Sequence, residues 1–131
     1  APAPEKGDGE ENLRGTLATQ LRRRQDWNRE AFKRRVMGNM EIVHKITELY
    51  LQSAPQLIDR ILASVAEENY RDLRSAAHEL SGMSENLGAE KMALVAKEIQ
   101  LAALDRRDDD LHYLLSELRD QYARLEDVTK G

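Results

Sequence analysis

From Asn28 onward the apolar residues recur at three- and four-residue steps, and no stretch alternates apolar with polar one by one. That period predicts helices throughout. Asn28 is placed to cap a short helix holding Ala31, Phe32, Val36 and Met37, with Gly38 as its stop. Asn39 is placed to cap a longer one, with Ile42, Val43, Ile46, Leu49 and Tyr50 on one stripe. Pro55 interrupts the pattern, which Leu57, Ile58, Ile61, Leu62 and Val65 resume, so a kinked helix or two abutting ones are expected. Further helices are expected over about Tyr70 to Asn86 and Glu90 to Asp105. The last carries Leu111, Leu114, Leu115, Leu118, Tyr122 and Leu125. Breaks at Gly88 and at Asp105 to Asp110 are short, which favours antiparallel neighbours. The expected fold is all-α, an antiparallel up-and-down four-helix bundle with an extra short N-terminal helix.

The front of the chain reads differently. Ala1 to Asn12 holds two of the three prolines and two of the seven glycines among acidic residues, the chemistry of an extended linker. Leu13, Leu17 and Leu21 add a weak helical stripe before Arg22-Arg23-Arg24, read as a short surface helix. Residues 1–27 are therefore taken as a partly helical extension, 28–127 as the bundle and 128–131 as a tail.

Composition narrows the function. Of the 131 residues 34% are charged and 5% aromatic, which suits aliphatic helix stripes under a charged surface. The net charge of -4 gives no reason to expect nucleic acid. No cysteine is present, so thiol chemistry and cysteine-bound zinc are excluded, and a reducing, cytoplasmic setting is expected. No apolar run approaches the roughly 18 residues of a membrane span. His44, His78 and His112 show no metal-binding spacing, and no phosphate-binding glycine loop occurs, so neither a metal nor ATP is expected here. His44 and His112 read as boundary or surface residues. Ser84 reads as a packing residue.

His78 is the exception. In Tyr70 to Gly88, a rotation of about 100° per residue gathers Leu73, Ala76, Ala77, Leu80, Met83, Ser84 and Leu87 into one arc. The same rotation sets His78 roughly 160° from the middle of that arc, in solvent. Its neighbours at three and four residues are Arg74, Ser75, Ser81 and Gly82, with Arg71 and Glu85 a turn further out. A glycine within a helix costs about 1 kcal/mol relative to alanine. Either Gly82 clears space beside the ring, through which a partner reaches phosphorus, or Ser81-Gly82 simply ends the helix and His78 is an ordinary surface residue. A histidine nucleophile needs one unprotonated ring nitrogen, which imidazole in neutral water mostly offers. Phosphoryl transfer depends mainly on position and charge neutralisation. Arg71 and Arg74 would favour an anionic phosphoryl group and Glu85 would oppose it.

Ala77 to Leu87, AHELSGMSENL, followed by Gly88-Ala89, resembles the signature of histidine-containing phosphotransfer (HPt) domains, and the likeness extends over about Asn28 to Leu125. It implies that His78 is phosphorylated, Leu80 is buried, Gly82 gives clearance and Gly88 ends the helix. It further implies that Gln100, on the next helix, orients the imidazole. Where the family usually carries lysine, this chain has Ser81, which brings no positive charge. The resemblance implies phosphoryl exchange with receiver domains of response regulators or of a hybrid kinase. Mg²⁺ would be held only by the receiver. A monomer is expected, as the C-terminal module of a hybrid sensor histidine kinase, itself membrane-anchored or not, with no nucleic acid or membrane contact by this segment. The rival reading is a degenerate adaptor that binds a receiver without phosphorylation.

Overall fold

The computed structural model describes the backbone of residues 5–130 and side chains from Leu13 onward. It holds six helices in chain order: α1 Glu5–Arg22, α2 Arg29–Arg35, α3 Met40–Ala66, α4 Tyr70–Leu87, α5 Glu90–Leu104 and α6 Asp108–Lys130. No strand occurs among the described residues. The expected all-α bundle is therefore the fold, formed by α3 to α6.

Local chemistry sets the boundaries. The side chains of Asn28, Asn39 and Asn69 each accept from the backbone N–H three residues on, satisfying a donor that a helix start leaves free. Gly88 closes α4 with φ of +85°, in the left-handed region. A Cβ there would stand 2.7 Å from the Asn28 carbonyl oxygen, so this close approach admits only glycine. In return the Asn28 N–H donates to the Gly88 carbonyl at 2.7 Å, tying the start of α2 to the end of α4. Arg35 donates to the carbonyls of Glu85 and Asn86, both at 2.9 Å, covering acceptors that the end of α4 leaves open. Three acidic residues, Asp108 to Asp110, open α6, where the helix dipole favours negative charge.

Cross-helix contacts show the directions. Arg60 meets Asp72 near the α3–α4 turn, and Tyr50 meets Ser84 at the other end, so α3 and α4 run antiparallel. Ser81 lies by Ala93 and His78 by Gln100, so α4 and α5 do too. α6 returns along α5 and touches α3, where Tyr122 reaches the Leu51 carbonyl. The core between them is aliphatic, with Val43, Ile61, Leu73, Leu80, Leu87, Ile99, Leu114 and Leu118 fully enclosed. Ser84, also enclosed, shares a 2.7 Å hydrogen bond with the Tyr50 hydroxyl. Burial pushes that phenol well above the usual tyrosine range, although the bond to Ser84 pulls the other way.

Three expectations need correction. Glu5 to Asn12 is helical backbone rather than extended linker, while Ala1 to Pro4 lie outside the described residues. Second, α1 is not a loose surface helix. Leu17 and Leu21 are buried within the common core cluster, and Arg14 stacks over the Tyr113 ring of α6 at 4.8 Å. Third, Ile42 and Leu49 are not core residues, and Leu49 is 51% exposed. They sit on the edge of an α3 stripe wider than the seam it fills. Pro55 cannot donate to the Leu51 carbonyl, yet α3 continues through it as one helix.

Candidate functional site

The site is built on the outer face of α4. Leu73, Ala76, Ala77, Leu80 and Leu87 pin one side of this helix into the core, which fixes its rotation. That rotation leaves His78 exposed, together with Arg71, Arg74, Ser75, Gly82 and Glu85. The predicted placement of the ring in solvent is what the structure has.

One partner holds the ring. Gln100 on α5 places its amide nitrogen 3.3 Å from His78 Nδ1. The antiparallel register of α4 and α5 brings these two residues together across 22 positions of sequence. A half-turn of the amide would put its oxygen at the same place, so Gln100 can serve either tautomer. With Nδ1 engaged, Nε2 is the nitrogen left for chemistry.

Gly82 stands one turn beyond the ring. A Cβ built there meets nothing within 4 Å, so this helical glycine is not demanded by packing inside the domain. The open space is external, in front of α4.

Ser81 departs from its sequence reading. It is only 7% exposed, and its hydroxyl turns to the Ala93 carbonyl at 3.5 Å. The reason is the close packing of α5 on this flank of α4, which covers a position 60° from His78 by helical rotation. Ser81 is thus part of the α4–α5 seam, and the phosphoryl surroundings are left to exposed groups. Arg74 and Ser75 are on the open face as expected, and Glu85 lies toward its far end.

Three residues of this face were not singled out from sequence. Lys97 is exposed one turn before Gln100, and Leu101 and Leu104 are exposed beside and one turn after it, Leu104 by 58%. Their offsets from Gln100 were the available signal, but which side of α5 faces outward depends on how α4 and α6 divide it. Among the described residues no three histidine, aspartate or glutamate side chains converge into a metal site. Among the described residues no helix is long and apolar enough to cross a membrane.

Comparison with known proteins supplies the family. The Hpt domain family profile matches residues 45–128, spanning α4, α5 and most of α3 and α6. No curated protein and no solved structure gives a significant match. An exposed histidine on a bundle helix and a family match over most of the chain point the same way: the chain belongs to the Hpt domain family, whose members carry out histidine phosphotransfer in two-component phosphorelays.

Proposed function

We propose that this domain is a relay intermediate that accepts a phosphoryl group on His78 Nε2 from a receiver aspartate and passes it to a second receiver. The observation that carries this is the exposed imidazole, held at Nδ1 by Gln100 and faced by empty space at Gly82. When the Gln100 amide presents its oxygen, Nδ1–H donates to it and Nε2 keeps its lone pair. That lone pair attacks phosphorus in line, the Nε2–P bond forms, and the P–O bond to the aspartyl carboxylate breaks as the carboxylate leaves. In the onward step a second carboxylate attacks, and the Nε2–P bond breaks in its turn. Mg²⁺ in the receiver and its acidic pocket supply the rest of the charge stabilisation. The domain's task is to present a nitrogen, without an ATP site or metal of its own.

Leu101 and Leu104 border this face and suit an apolar rim for a docked receiver. A monomeric module in the cytoplasm, within a hybrid sensor kinase, is the setting that fits the reading. Incubation with a receiver charged from labelled acetyl phosphate tests it. Acid-labile label is expected on the wild-type domain and none on His78→Gln, with helical content unchanged between them. Label retained by His78→Gln would move the site elsewhere. Receiver binding without any label on the wild type would favour the adaptor.

A further inference from the structure

The phosphoryl group at His78 would add roughly two negative charges to the outer face of α4. Ser81, three residues further along the helix, is buried and turned away, while Ser75, three residues back, is exposed but uncharged. Two contacts fix the register of α5 against this face, Ser81 with the Ala93 carbonyl and His78 with Gln100. At about 100° per residue, Ala93, Lys97 and Gln100 fall within roughly 60° of each other, so Lys97 stands between the two contact points. It is exposed, and it lines the same groove as Glu85 and Ala93. Lys97 forms no ion pair among the described residues. Gly82 puts no side chain between it and the imidazole. The separation along the helix is about one turn, ~5.4 Å, which a four-carbon stem can span.

We propose that Lys97 reaches across the Gly82 gap and binds the phosphoryl oxygens on His78, supplying from α5 the charge that α4 lacks at Ser81. This rests on His78 being the phosphorylated residue. The other charges around the group are Arg71, Arg74, Glu79 and Glu85 from α4 and Glu98 from α5. Arg74 lies on the opposite side of the ring from Lys97, so the two cations would grip the group from both ends. Glu85 lines the same groove as Lys97 and would oppose the phosphoryl group.

The domain is loaded with phosphoramidate, which needs no receiver: Nε2–P forms as the P–N bond of the reagent breaks and ammonia leaves. Phosphorus NMR then follows the second ionisation of the phosphoryl group against pH, using the signal absent from His78→Gln. A nearby cation favours the dianion, so Lys97→Gln is expected to raise the midpoint by roughly 0.2 to 0.7 pH unit. Lys97→Arg should hold the wild-type midpoint, and high salt should shrink the difference. Melting temperatures of both variants should match the wild type, since Lys97 is exposed. Equal midpoints for wild type and Lys97→Gln would overturn the proposal and leave the carrier reading standing. Failure of the wild type to take a His78 label would overturn both.

Discussion

At the scale of single residues, Gly82 separates what the fold wants from what the site wants. The helix would be better off with alanine, which fits without contact and loses less backbone freedom on folding. Gly82→Ala is therefore expected to raise stability by about 0.5–1 kcal/mol in urea unfolding. It should also slow transfer from a charged receiver by tenfold or more, because the added methyl occupies the approach to the ring. Faster or unchanged transfer with the raised stability would deny the glycine its role. Much of this site was legible in the sequence. His78, Leu80 and Gly82 follow from helical rotation alone, and that rotation is fixed by the strong apolar arc of α4. Ser81 did not follow, since its burial depends on how tightly α5 wraps the flank. A one-dimensional pattern says nothing about the width of a neighbour's shadow.

At the scale of helices, the α3–α4 corner is held by charge. Arg60 Nε lies 3.0 and 3.1 Å from the two Asp72 oxygens, and the Ser64 hydroxyl donates to the same carboxylate at 3.0 Å. The Arg60 hydrogen bonds, then that of Ser64, hold the Asp72 carboxyl below its ordinary range. A carboxylate whose folded midpoint is depressed stabilises the fold above its unfolded midpoint, near pH 4, and loses that contribution as pH falls through the folded one. Asp72→Asn should accordingly melt earlier than the wild type at pH 7. The gap should close as the buffer is taken below about pH 4 toward the depressed midpoint. A gap that stays constant with pH would mean that Asp72 acts through packing. The Asn28 and Asn39 caps and the Gly88 stop were readable in advance, because each is settled between one residue and a few backbone groups nearby. The exposure of Ile42 and Leu49 was not, because they lie in register with a true core stripe and only the position of α2 and α6 decides its edge.

At the scale of the whole molecule, α1 makes the largest difference between the chain as a pattern and the chain as a body. His78 stands on the bundle α3 to α6, and α1 adds Leu17 and Leu21 to its core. Leu17→Ala should cost about 2 kcal/mol, the low end for an enclosed leucine, since a peripheral helix can settle into part of the space. Phosphorylation of His78 should persist in that variant, because the ring is supported by α4 and α5 alone. Loss of labelling with an intact bundle would show that α1 acts on the site. The stripe of three leucines was visible, yet its weak polar context reads as surface until the core is known to receive it.

In the proposed relay, the placement of one imidazole on one exposed face would also limit traffic. A protein that delivers and a protein that collects must occupy the same berth, and two cannot sit there together. Throughput then depends on how quickly the first visitor departs, and a surplus of empty collectors would hold up loading as surely as a shortage of charged suppliers.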